Sequence, residues 1–203
     1  MNPLYDDVWA IPTSTQVPVD SKITRKFREM SESLWEVQQL ISPQFAEVES
    51  LPLVTPSDEL VDDITYNVHY TEAVTVAVST LMKRIETYFQ MRGMFGSILR
   101  CVLIRVKSGK QIYPHIDDTF LGIPHDIYRM QLVSSSNKDW WSYTDEHGRE
   151  IKTSPVVNQM KPIPKGSIQS EENVGLNDNI HALIYLQRTS AKEELRKLTV
   201  LTP

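Results

Sequence analysis

The sequence predicts an α+β chain in which two amphipathic helices precede an antiparallel β structure, a sandwich or small barrel. Three observations carry this. Apolar residues recur at helical spacing over residues 21–42 and again over 71–92. Near Gly93–Gly96 the period shifts from the helical value to strand alternation. From residue 96 onward, short alternating runs are separated by turn signals, with no helical segments between them to make βαβ units.

Each element follows from local chemistry. Residues 1–19 contain Pro3, Pro12 and Pro18 with polar spacers, so they read as an extended arm. The arm also carries Leu4, Tyr5, Val8, Trp9 and Ile11, enough apolar surface to dock on this domain or on a neighbour. Residues 20–203 read as a single domain. In its first helix, 21–42, the residues Ile23, Phe27, Met30, Leu34, Val37 and Ile41 fall on one face. Asp20 or Ser21 can cap its start, and Pro43 follows its end. In the second, 71–92, the stripe is Val74, Val78, Leu81, Met82, Ile85, Tyr88 and Phe89, with Gly93 suited to the C-terminal cap. The β-core spans 96–201. Its expected strands are 98–106, 111–116, 127–134, 140–144, 149–153, 163–168, 181–187 and 197–201, with turns at Lys107-Ser108-Gly109-Lys110 and Asp145-Glu146-His147-Gly148.

Composition bounds the function. The 203 residues carry a net charge of −5, so a general nucleic-acid binder, which needs a basic face, is not indicated. The single cysteine, Cys101, excludes an intrachain disulfide and a Cys-rich zinc site, and its apolar surroundings predict burial. No apolar run reaches membrane-spanning length, and the acidic N-terminus does not look like a secretory signal. The expected location is intracellular (cytoplasmic) or in a virion, not secreted.

The most informative stretch is Tyr113-Pro114-His115-Ile116-Asp117-Asp118, just after an apolar strand. Two residues apart on an extended segment, His115 and Asp117 point the same way. An imidazole and a carboxylate on one face are two-thirds of the 2-His-1-carboxylate set that holds non-haem Fe(II). Taken alone, His-x-Asp also suits a plain turn, with a carboxylate bonding nearby backbone donors.

The order of motifs gives that stretch its weight. Downstream come Tyr128-Arg129-Met130-Gln131-Leu132, a Trp140-Trp141 hairpin, Pro164-Lys165-Gly166-Ser167, and Asn173-Val174-Gly175 leading to Asn179-Ile180-His181. Over residues 97–188 this resembles the aspartyl/asparaginyl β-hydroxylase branch of the Fe(II)/2-oxoglutarate-dependent oxygenases. The resemblance implies a double-stranded β-helix (a jelly roll, cupin-like) flanked by the two N-terminal helices. It implies His115 and Asp117 as metal ligands, with Arg129 and Gln131 beside the co-substrate carboxylate. It also places Gln169 where the family has its third ligand, a His, and Asn179 where it has a carboxylate-binding Arg. Gln is a poor Fe(II) ligand beside imidazole, and neutral Asn cannot pair a carboxylate charge. His125 or His181 could substitute as third ligand. In the plainer reading His181 is a packed strand residue and His125 a solvated loop residue.

Two readings follow. In one, the chain is a divergent hydroxylase using Fe(II) and 2-oxoglutarate, with a substitute third ligand or with a two-ligand metal site and an altered co-substrate mode. In the other, which is preferred, the oxygenase fold persists with an incomplete metal site and no cofactor. The non-catalytic alternative is a structural or interaction protein, for example a phage virion or assembly component, docking a protein partner through the arm at 1–19. Glu171 and Glu172 read as solvated charges, and the Trp140–Tyr143 aromatics as cover for the sheet.

Overall fold

The computed structural model describes residues 16–17, 19–29, 35–37, 48–56, 64–66, 72–116, 125–134 and 139–189. The predicted class holds: antiparallel sheets form a jelly roll, with two helices packed outside it.

Helix α1 (Ser21–Arg28) starts where Asp20 accepts a 2.8 Å hydrogen bond from the Lys22 N–H, and buries Ile23 and Phe27, one turn apart. It is shorter than the sequence pattern suggested. By residue 36 the chain is extended: β1 (Glu36–Val37) pairs with β2 (Val48–Pro56), Glu36 facing Ser50 and Val37 facing Glu49. The edge of β2 offers unpaired backbone groups. Pairing them overrides helical periodicity, which is only a weak prior. Trp35, just before β1, is buried with the Arg105 guanidinium 4.5 Å above its ring. Strand β3 (Ile64–Tyr66) also joins β2. The sheet therefore begins before residue 96, in a region where no strand was expected.

Helix α2 (Glu72–Met91) matches its expected span. It ends at Gly93, whose φ of 67° is the left-handed conformation that caps helices, with the Gly93 N–H bonded to the Gln90 carbonyl.

The remaining strands are β4 (Gly96–Val106), β5 (Gln111–Ile116), β6 (Asp126–Val133), β7 (Trp140–Thr144), β8 (Glu150–Thr153), β9 (Met160–Ile163), β10 (Ile168–Glu172) and β11 (Asn179–Arg188). The larger sheet runs β1-β2-β4-β11-β6-β9 with β3 alongside β2, and the smaller runs β5-β10-β7-β8. The strand expected at 163–168 is instead a turn. Pro164 cannot continue a ladder, Gly166 adopts φ 71°, and the Ser167 N–H bonds the Pro164 carbonyl at 3.0 Å. The strands on either side of it, β9 and β10, belong to different sheets. The strand expected at 197–201, and arm residues 1–15, lie outside the described residues.

Strand parity sorts the larger sheet into two faces. Cys101, Leu103, Tyr128, Met130, Leu132, Ala182, Ile184 and Leu186 pack with Phe27, Leu81, Ile85 and Phe89 from the helices. The alternate residues Val102, Ile104 and Val106 face the sandwich interior with Ile112 and Leu183. Arg129, Gln131 and His181 share that inward parity. The end of the arm is tied to the domain: Val17 is buried and its N–H bonds the Asn158 carbonyl at 2.7 Å. Among the described residues no helix is long and apolar enough to cross a membrane.

Candidate functional site

The interior of the jelly roll is polar where its two sheets converge. Gln169 on β10 lies directly opposite His115 on β5. His115, Arg129, Gln169, Glu171 and His181 line one cavity of about 30 Å³, room for about a water or two. Thus β5, β6, β10 and β11 each contribute a side chain to the same small space.

At its centre is a buried ion pair. Arg129 Nη1 donates to Glu171 Oε2 at 2.7 Å, with side chains only 5% and 1% exposed. Arg129 Nη2 donates to Gln131 Oε1 at 2.7 Å, and Gln131 Nε2 donates to the Val133 carbonyl. The guanidinium also stands 5.1 Å from the Trp141 ring centroid, and Trp141 stacks on Tyr143 at 4.7 Å. This fixes the guanidinium in position and neutralises its charge within the protein.

His181 sits against that pair. Its Nδ1 is 3.2 Å from Glu171 Oε2 but makes no hydrogen bond, and Glu171 Oε1 makes none either. Burial, then the positive charge of Arg129 and the nearby His115, hold the His181 pKa well below the usual histidine value. His181 is therefore neutral at physiological pH. His115 is more accessible, with its Nδ1 2.9 Å from the Tyr113 carbonyl oxygen.

The other expected residues fall elsewhere. His125 packs its ring 5.3 Å from that of Tyr185, four residues along β11 from His181 and outside the cavity. Asn179 is fully buried at the start of β11, opposite Val106, and is not a wall of the cavity. Asp117 lies outside the described residues. Cys101 is fully buried and its thiol is pushed up to about 12 by burial, so it is no nucleophile.

Among the described residues the cavity holds two imidazoles, His115 and His181, while the expected carboxylate ligand, Asp117, lies outside them. Across from His115 is the amide of Gln169, and the nearby carboxylate, Glu171, is engaged by Arg129. Among the described residues no three His, Cys, Asp or Glu side chains are grouped closely enough to hold a metal ion. Glu171 is what the sequence reading missed: it is buried, not solvated. The available signal was its shared strand parity with Gln169.

No protein-family model and no curated protein matches the sequence. Solved structures do match. The fold is that of the 2-oxoglutarate, Fe(II) oxygenases. A Pseudomonas putida prolyl-4-hydroxylase aligns with a TM-score of 0.54 at 10% identity, over 87% of this chain and 92% of that one. A Trichoplax adhaerens prolyl hydroxylase, solved with a hypoxia inducible factor oxygen degradation domain peptide fragment, gives 0.53 at 11% identity over 91% and 85%. A 2OG-Fe(II) oxygenase family oxidoreductase from Burkholderia pseudomallei gives 0.52 at 11% over 70% and 67%. Identities this low establish the shared fold and leave function to the residues of the site.

Proposed function

We propose that this chain is an oxygenase-fold protein with an incomplete metal site, acting as a binding or structural protein rather than as a hydroxylase. The observation that carries this reading is the register of β5 and β10, which sets the Gln169 amide against His115. An amide cannot replace an imidazole as an Fe(II) ligand without a large loss of affinity. The Arg129–Glu171 pair supports the same reading. The guanidinium that the hydroxylase resemblance would assign to a co-substrate carboxylate already holds a carboxylate of the chain itself. In this reading the arm at 1–19 is the element that docks a protein partner, as in a virion or assembly component. The aspartyl/asparaginyl hydroxylase resemblance then describes ancestry rather than present chemistry.

Anaerobic Fe(II) titration of the wild type beside Gln169→His tests the reading. Weak binding by the wild type and a gain in the variant are expected, since an imidazole opposite His115 adds the missing ligand type. Tight wild-type binding that His115→Ala abolishes would overturn it.

A further inference from the structure

A cavity of about 340 Å³ lies between helix α2 and the larger sheet, against about 30 Å³ for the space at His115. Its apolar walls include Phe89 on α2, Ile98 on β4, Leu186 on β11 and Phe95 in the connection from α2 to β4. Glu86 on α2 is the charged side chain among its described lining residues. Protein interiors are close-packed, with few voids larger than a water molecule. At about 30 Å³ per water, this one has room for about ten. Walls that face such a space lack the dispersion contacts a packed neighbour would give, and Phe95 is 36% exposed.

The chain leaves the fold at this cavity. The last pairing of β11 sets Arg188 against Gly96, and the Thr189 N–H then bonds the Phe95 carbonyl at 2.9 Å. Phe95 and Gly96 both line the cavity. Thr189 is therefore on its rim, and residues 190–203, which lie outside the described residues, follow from there. That segment contains Leu195, Leu198, Val200 and Leu201, together with the basic Lys192, Arg196 and Lys197. Its apolar side chains match the apolar walls, and its basic ones are opposite in sign to Glu86. At about 3.3 Å per extended residue, residues 190–194 alone reach about 16 Å, enough to turn back onto the mouth. A tether this short holds the segment at an effective concentration of about millimolar or more, so a modest contact suffices to dock it.

We propose that this cavity is the docking site of the chain's own C-terminal segment, residues 190–203, with leucines of the segment in the apolar space and basic side chains toward Glu86. The docked segment seals the gap between α2 and the sheet and supplies the packing that the open cavity lacks. The proposal is independent of the metal-site reading, because this cavity shares no described lining residue with the one at His115.

The test uses the full chain with a nitroxide label on a Thr202→Cys variant. Cys101 stays unlabelled, since it is fully buried and its thiol is pushed up to about 12. Methyl NMR reads the paramagnetic broadening against the reduced label. Broadening is expected at Ile98 and Leu186, on the cavity walls, and not at Val106, at the far end of β4. The tether alone keeps the label near the rim, so the deciding comparison is Leu198→Asp/Leu201→Asp in the same labelled chain. Broadening at the walls should fall about tenfold or more, the loss of two buried leucine side chains. Equal broadening with and without the two leucines overturns the proposal. So does broadening that appears only when spin-labelled chain is mixed with isotope-labelled chain, which would make the occupant a second copy. Should the double variant fail to fold, Phe95→Ser makes the same comparison from the cavity side, with the same loss expected and the same result against the proposal.

Discussion

Glu171→Leu strands the Arg129 guanidinium in the sandwich interior. Both partners are almost fully buried and their bond is 2.7 Å, so neither charge can turn to water when the other is removed. Breaking a buried pair from one side costs about 3–5 kcal/mol, because the remaining charge has lost its compensation. Arg129→Met should cost a similar amount and also leaves Gln131 Oε1 without its donor. The double variant Arg129→Met/Glu171→Leu removes both charges. It retains only the unmet Gln131 acceptor, about 1–3 kcal/mol, and the lost cation–π contact with Trp141, about 1 kcal/mol. The two singles therefore sum to roughly 6–10 kcal/mol, while the double costs about 2–4 kcal/mol. Urea unfolding midpoints at neutral pH, with unchanged slope, read all three. Additive singles and double, or singles that each cost under about 1 kcal/mol, would refute the buried pair.

Two further predictions concern stability. The lowered His181 pKa means that the unfolded chain binds a proton which the native chain refuses. Stability contributed by neutral His181 is thus complete above about pH 6.5 and is lost as pH falls, by up to about 1.4 kcal/mol per pH unit, until the native pKa is reached. Arg129, Glu171 and His115 face His181 and keep their contacts in His181→Gln, so urea midpoints for that variant should flatten between about pH 7 and 5; an unchanged slope would refute the assignment. Gly96→Ala would drive a Cβ into the Gln187 carbonyl oxygen, a backbone atom that cannot step aside within the β4–β11 ladder. A loss of about 3 kcal/mol in the same unfolding assay is expected, and a neutral result would place the two strands farther apart than described here.

Much of the jelly roll was legible because its strands alternate cleanly. In β6 the sequence itself separates Tyr128, Met130 and Leu132, which meet the helices, from Arg129 and Gln131, which face inward. Tight turns were equally plain at Gly109 and Gly148, both at positive φ. Legibility failed where tertiary pairing competes with local pattern. Residues 35–37 carry a helical spacing but lie at a sheet edge, and pairing with β2 wins. Between β9 and β10 the apolar flanks, Ile163 and Ile168, suggested one continuous strand, although Pro164 and Gly166 argued for the turn that forms. At the site, the pairing of Gln169 with His115 is a cross-strand fact that no local pattern encodes. Glu171 was misread because a charged residue is buried only when a partner distant in sequence neutralises it, and here that partner is Arg129.

The most direct measurement of catalytic competence is succinate formation from 2-oxoglutarate with Fe(II), in the wild type beside His115→Ala and Asp117→Ala. With an amide opposite His115 and the guanidinium of Arg129 held by Glu171, the three proteins should give the same background. Turnover by the wild type that both substitutions abolish would contradict the incomplete-site reading and make the chain a working oxygenase.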